Sequence, residues 1–418
     1  MDRTGKLWTG STKKWAIRVA GMAWCCACLL ILAYHIPRLN RVTRELQLIY
    51  FQPMLPVTFA LWLWGHNVQR FNALGIEYEL CFSLKDRKYL LPHGELYRIA
   101  SFLTILGLTC AAAFSALATA GAIGSAELTA VVFYFFTAAL LVAPLDLLAM
   151  PARMFFGQTL QRVVLPLQEV SWADFLMADI MTSLSKSSGD LAKTAAVMVT
   201  GPALHSLALT GALGGSGQPL VNPLSPPVLL AICLPYMIRF VQCVIVHRTT
   251  GNRSQLLNAA KYGTAFPALV LTAIQREYHV RGERYGLYGW WIAALLVNSI
   301  YSFYWDLEMD WDMPWLVQPG GTHVLRVLRL PGLRPDALYS RGWYVWAVVS
   351  NLALRLSWIH RLVGDLERYN TVALVMALVE VLRRYQWTYI RVETELRKIR
   401  SRATHEHTIE GAKEHAGS

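Results

Sequence analysis

Four stretches of this 418-residue chain, 46–65, 99–126, 128–145 and 285–305, run for about 20 residues each without a single charge. At 1.5 Å rise per residue, such a helix is about 30 Å long, the thickness of the hydrocarbon layer of a bilayer. The chain is 55% hydrophobic and only 16% charged, and its mean hydropathy is +0.35. That composition excludes an ordinary soluble domain and predicts an all-α polytopic membrane protein.

Read in order, the chain predicts about ten transmembrane helices. A short basic segment, 1–14, carries Arg3, Lys6, Lys13 and Lys14. The first span, 15–36, has Arg18 near its start, where it can snorkel. Pro37 and basic residues follow it rather than a small-residue cleavage site, so it reads as a retained span and not a signal peptide. The second span, 46–65, holds Pro53 and Pro56, which are expected to kink it. A polar loop (66–98) leads to spans three and four (99–126 and 128–145), whose Ala, Gly and Ser content suits close helix packing. A connector at 150–172 carries Arg153 and Arg162. The stretch 173–199 predicts one long helix, polar along one side. Residues 211–227 are interrupted by Gly and Pro, which marks a loop between spans five and six. Span seven (253–275) is less apolar and contains Lys261. Span eight is 285–305, span nine begins at Gly342, and span ten begins near Asn370. This divides the chain into a cytoplasmic N-terminus (1–14), four N-terminal helices (15–149), a core of about six helices (150–397) and a disordered cytoplasmic tail (398–418).

The loops after spans two, four, six and eight carry more Lys and Arg than those after spans three and five, which places both termini in the cytoplasm. The loops with Arg38, Arg41 and Arg44 and with Arg276, Arg281 and Arg284 run against that assignment. The formal net charge of +12 fits basic membrane-flanking loops and a site for anions better than nucleic-acid binding. The seven cysteines have no metal-ligand spacing and read as small buried residues. No metal or cofactor is expected.

The stretch 370–395 carries the sharpest chemistry. Nine uncharged residues, 371–379, lead directly into Glu380, Arg383 and Arg384 on one continuing helix. Spacings of three and four bring the carboxylate and both guanidinium groups near one helical face. Charge at membrane depth is expensive and is usually kept for a pathway or a site. Further groups of this kind are Asp179, Thr182 and Ser185, which form a stripe, together with Lys261, Asp306, Asp310 and Arg355. Taken singly, each has a plainer explanation: a snorkelling arginine, a helix cap or an interface lysine. As a set they occupy five separate helices or helix ends, which points to an internal path lined by Lys, Arg and carboxylates.

Such a path suits a small oxyanion. Guanidinium groups bind phosphate in bidentate geometry. Carboxylates then discriminate, because phosphate near neutral pH still carries a proton to donate and sulfate does not. Motifs for serine hydrolases, zinc proteases and P-loop enzymes are missing from the sequence, and Asp179 and Asp310 sit in no proteolytic signature, so an enzyme is not expected. A receptor that senses an anion, or a scaffold acting through its loops and tail, stays open on these residues alone.

Six segments resemble the EXS-domain family, the transmembrane module of plant and animal phosphate exporters and of a yeast Golgi protein. They are DFLMADIMTSLS (174–185), LPYMIRFVQC (234–243), NAAKYGT (258–264), YSFYWDLEMDWD (301–312), LRLSW (354–358) and EVLRRYQWTYIRVETE (380–395). They stand in family order over roughly the C-terminal 60% of the chain, with a weaker likeness at WLWGHNV (62–68). The resemblance implies phosphate export through Asp179, Thr182, Ser185, Lys261, Tyr262, Asp310, Arg355, Trp358, Glu380, Arg383 and Arg384. It casts Trp358 as a gate and Glu380 as the group that orients the two arginines. Thr182 stands where the best-known animal exporter has Asn. Because 14 residues precede Trp15, the large SPX sensor domain of plasma-membrane exporters is not expected. The likeness is to short Golgi members that return phosphate from the lumen to the cytosol. The partners implied are inorganic phosphate, the bilayer and, as an open expectation, a second copy of the chain. Golgi glycosyltransferases or their sorting factors belong to the scaffold alternative.

Overall fold

The computed structural model describes residues 4–144, 148–165, 169–209, 225–313, 337–362 and 369–416. The Gly/Pro-rich loop expected at 211–227 lies mostly outside them, as do the ends expected for spans four and nine.

Every regular element among the described residues is helical. The N-terminal part comprises α1 (Thr4–His35), α2 (Arg41–Phe51), α3 (Met54–Ala73), the short α4 (Leu84–Arg87), α5 (His93–Thr119) and α6 (Ile123–Val142). The remainder comprises α7 (Met150–Val164), α8 (Trp172–Ser183), α9 (Ser185–Leu209), α10 (Pro226–Thr250), α11 (Ser254–Gly263), α12 (Ala265–Arg281), α13 (Tyr288–Trp305), α14 (Arg341–Arg355) and α15 (Tyr369–Ala416). Five stretches are long and apolar enough to cross a membrane: Trp15–Arg38, Arg41–Ala73, His93–Thr119, Ile123–Val142 and Pro226–Thr250. The chain is a polytopic helical membrane protein.

Local chemistry sets the helix ends. Asn40 accepts a hydrogen bond from the Thr43 amide at 2.8 Å and starts α2. Ser171 and Asp174 form a reciprocal capping box that starts α8. Gly121, at φ +81°, turns the chain from α5 into α6. This turn falls at 120–122, a few residues before the boundary expected from Glu127, which lies inside α6.

Several expected single helices are interrupted. The second span divides at Gln52–Pro53 into α2 and α3, as its prolines suggest. The polar helix expected over 173–199 breaks at Leu184, and the helix expected over 253–275 breaks at Thr264. α13 winds on past the expected end of span eight as a π-helical turn, Asp306–Asp310. α14 passes at Leu356 into a 3₁₀ segment, Ser357–Leu362. α15 is the opposite case, since its backbone stays helical to Ala416, well past Lys398, where the sequence suggests disorder.

In the packing, α5 touches α1, α3 and α6, while α10 packs on α8, α9 and α11. α15 runs against α3, α8 and α14. The largest apolar cluster gathers Phe71, Tyr78, Leu176, Leu307, Trp311, Tyr344, Trp387 and Ile390 around the middle of α15. α1 is different: few of its residues in the spanning stretch are buried, and it rests on α5 partly through a 2.8 Å hydrogen bond from the Trp24 indole to Thr109.

α9 and α10 approach closely at Gly189. A Cβ there would meet the Ile232 side chain, with Cδ1 only 2.8 Å away. Gly189→Val is therefore expected to cost about 1–3 kcal/mol by overpacking and to lower the melting temperature of the detergent-solubilised protein. Adding Ile232→Ala should restore part of the loss.

Candidate functional site

Two buried aspartates organise the polar interior. Asp179, in the third turn of α8, is 3% exposed. It forms an ion pair with Arg384 of α15, lies 3.4 Å from Arg239 of α10, and accepts a hydrogen bond from the Tyr262 hydroxyl of α11 at 2.7 Å. Arg384 also donates to Ser183 at 3.1 Å and to Thr182 at 3.4 Å, and its guanidinium lies 4.4 Å from the centre of the Trp387 ring. Arg239 donates to Tyr262 at 3.1 Å and to Gln242 at 2.7 Å. Four helices thus meet at one carboxylate.

The second hub is Asp306, at the first position of the π-helical turn and 2% exposed. Arg355 of α14 donates to one of its oxygens through Nη2 at 2.6 Å and Nε at 2.9 Å. Asn351 donates to the same oxygen at 3.0 Å, and Arg383 of α15 stands at 3.4 Å. Glu380 grips Arg383 with two hydrogen bonds, at 2.8 and 2.6 Å. Glu380 reaches Arg384 only indirectly: the Ser183 hydroxyl donates to Glu380 at 2.8 Å and accepts from Arg384. The carboxylate expected to orient both arginines therefore holds one directly and the other through a serine. At the far end of the π turn, Asp310 faces Arg391 at 3.9 Å.

Lys261 of α11 is placed differently. It is 7% exposed, and among the described residues its ammonium has no hydrogen bond or ion pair. It sits over two aromatic rings instead, 4.3 Å from the centre of Tyr262 and 5.3 Å from that of Trp305. Thr264, at the break between α11 and α12, donates its hydroxyl to the Lys261 carbonyl at 2.7 Å and to Asn298 at 3.1 Å. The backbone at the break is thereby satisfied while the lysine is held in place. Trp358 packs with Trp291 and Leu295, and its indole donates to Ser299 at 3.0 Å.

These groups border one cavity of about 440 Å³, room for roughly fifteen waters at ~30 Å³ each. All eleven residues expected to form the path line it: Asp179, Thr182, Ser185, Lys261, Tyr262, Asp310, Arg355, Trp358, Glu380, Arg383 and Arg384. Around the two aspartate hubs, four of the lining cations (Lys261, Arg355, Arg383, Arg384) face four of the lining carboxylates (Asp179, Asp306, Asp310, Glu380), with Arg239 behind Asp179 adding one more positive charge. Such a chamber can hold an oxyanion between guanidinium, ammonium and carboxyl groups, with both hydrogen-bond donors and acceptors in reach.

Several members of the chamber stand outside the set expected from the sequence. Arg239 is the only Lys, Arg, Asp or Glu between Lys193 and Arg248, which was a usable signal. Ser183 and Asn351 are ordinary polar residues in ordinary helical positions, and only the fold shows that they bridge the charges. Lys186, Asp190 and Lys193 of α9 line the same cavity, as does Arg276, which the sequence placed among loop charges.

Asp179→Ala would remove the only carboxylate within ion-pair distance of Arg384 and of Arg239 among the described residues. Uncompensated buried charge of this kind costs about 3–5 kcal/mol, so a large drop in thermal stability is expected. Tyr262→Phe removes one hydrogen bond to a charged group and should cost only about 1.5–3 kcal/mol.

The family model described as EXS family matches residues 47–397. The match begins in α2, well before the strongest motifs. Among curated proteins, SPX and EXS domain-containing protein 1 of Dictyostelium discoideum is 28% identical over 349 residues, covering 80% of this chain and 35% of the relative. Xenotropic and polytropic retrovirus receptor 1 homolog of Danio rerio is 30% identical over 362 residues, covering 83% and 49%. Solute carrier family 53 member 1 of Homo sapiens is 27% identical over 370 residues, covering 83% and 50%. The chain spans half or less of the length of these relatives.

Proposed function

The chain belongs to the EXS family, and on that premise we propose that it carries inorganic phosphate across a membrane through the cavity at the heart of its helices. Likeness to a protein named as a solute carrier supports a transporter rather than an enzyme. The observation that supports an anion as cargo is Lys261, a buried ammonium on the cavity wall with aromatic rings around it; among the described residues no carboxylate pairs with it directly, and Asp310, Asp179 and Asp306 act on it only from further off. A buried cation left in this state is costly unless a ligand or its water supplies the missing acceptors.

In this reading Lys261, Arg355, Arg383 and Arg384 receive the phosphate oxygens. Asp179 and Asp310, with Thr182 and Ser185, take up its proton or its remaining hydrogen bonds, which favours protonated phosphate over sulfate. Glu380 and Ser183 hold the two arginines of α15 at fixed spacing. The mixed signs keep the site from trapping its ion. Trp358, anchored to Ser299, serves as the gate beside Arg355. About ten membrane crossings, cytoplasmic termini and passage from the Golgi lumen to the cytosol complete the proposal, and these rest on the sequence reading and its family resemblance.

The test is phosphate flux in liposomes holding the purified full chain, with sulfate as the comparison anion. Lys261→Gln is the sharpest variant, because among the described residues it breaks no hydrogen bond or close ion pair, and Asp310 keeps Arg391 at 3.9 Å. It should retain the wild-type melting temperature while phosphate flux falls about tenfold to a hundredfold, the value of one charge-assisted contact. Sulfate should not be carried. Flux unaffected by Lys261→Gln and by Arg383→Ala/Arg384→Ala would overturn the site. No flux from folded wild-type protein would overturn transport.

A further inference from the structure

The cavity does not stop at the ring of charges around Lys261. It continues along α9 to Lys193, along α12 to Arg276 and along α2 over Glu45–Gln52, while on α15 it touches residues up to Arg384 and none beyond. α9 and α12 run away from the central charges, and α15 starts from the same end. The cavity therefore extends toward the end of the bundle opposite the α15 C-terminus. At that end a second charged group is built into the wall. Lys186 forms an ion pair with Asp190, and Lys193 donates to the other Asp190 oxygen at 3.0 Å. The three residues share one face of α9 at spacings of four and three. Asp190 is 15% exposed and Lys193 18%, whereas Lys186 is more open at 34%. Arg276, with contacts of its own, stands across the cavity near enough to act on the Lys193 charge.

Two lysines converging on one carboxylate could serve only to neutralise a semi-buried acid. Their place argues for more. All three groups line the cavity rather than the outer surface, the local excess of charge is positive, and Lys193 lies about 12 Å along α9 from Ser185, a single step from the central chamber. Resting on the transport reading, we infer that Lys186, Asp190 and Lys193 form an outer anion station, at which an incoming phosphate replaces the Asp190 carboxylate between the two ammonium groups before moving inward. Asp190 fills the station when phosphate is absent and returns to it when phosphate leaves, so capture does not become a trap. With the α15 C-terminus cytoplasmic, the station faces the lumen, where phosphate enters.

The experiment measures the half-saturating phosphate concentration and the maximal flux in liposomes for wild type, Asp190→Asn and the triple variant Lys186→Gln/Asp190→Asn/Lys193→Gln. The triple variant removes the ion pairs together and strands no charge. The station requires its half-saturating concentration to rise about tenfold, one charge-assisted contact's worth, with maximal flux changed less than about twofold. Asp190→Asn alone, which removes the competing carboxylate, should lower the half-saturating concentration. A triple variant that matches wild type in both parameters overturns the station and leaves the transport reading intact. A triple variant that loses maximal flux at unchanged half-saturation also overturns it. Wild-type protein without phosphate flux, shown folded by its melting transition, would overturn the station and the transport reading together.

Discussion

Charge neutralisation in a medium that cannot solvate charge is the constraint on which this structure depends. A lone guanidinium or carboxylate in the interior would cost several kcal/mol, and it is tolerable only when opposite charges and hydrogen bonds surround it. Asp179 meets that requirement for Arg384 and Arg239, and Asp306 for Arg355 and Arg383. Because each partner comes from a different helix, satisfying the charges fixes the relative positions of α8, α10, α11, α13, α14 and α15. Helix association in lipid lacks the hydrophobic driving force it has in water, so these polar ties carry a larger share of the specification than they would in a soluble protein.

Irregular backbone gathers where the polar ties are. α8 gives way to α9 beside Ser183, α11 to α12 beside Lys261 and Tyr262, α13 to the π turn at Asp306, and α14 to a 3₁₀ segment beside Arg355 and Trp358. Broken helices are tolerable at membrane depth only where they line a cavity or are buried in protein, and their freed backbone groups help to build binding sites there. α15 is unbroken through the same region, so Glu380, Arg383 and Arg384 keep strictly helical spacing and act as the fixed side of the chamber.

What was legible in the sequence follows from the same physics. Uncharged runs announced α3, α5, α6 and α13, because hydropathy reports burial in lipid directly. The helices that carry most of the chamber are less apolar for the very reason that they carry it, and they were found instead through isolated charges such as Lys261, Arg355 and Arg383. The breaks at Leu184 and Leu356 left no mark, since neither site is a Pro or a Gly and the cause lies in tertiary contacts. The helical course of α15 past Lys398 was also missed. Its mixed charge looks like disorder in isolation, yet it continues a helix whose preceding turns are tied at four-residue spacing by Arg391–Glu395 and Arg397–Glu393, each at 3.0 Å. Ser183 shows the limit of residue-type reasoning, for nothing in its identity says that one hydroxyl will join Glu380 to Arg384.

The π-helical turn at Asp306–Asp310 has a mechanical consequence. A π turn holds more residues per rotation than the α-helix on which it is built, so it is an underwound segment within a longer coil. Rewinding it would rotate Asp310 about the axis relative to Asp306 and lengthen the segment slightly. The angular offset between two carboxylates on the chamber wall is thus tied to the pitch of a single turn. The direction in which the second carboxylate presents its charge to the chamber therefore depends on how that one turn is wound.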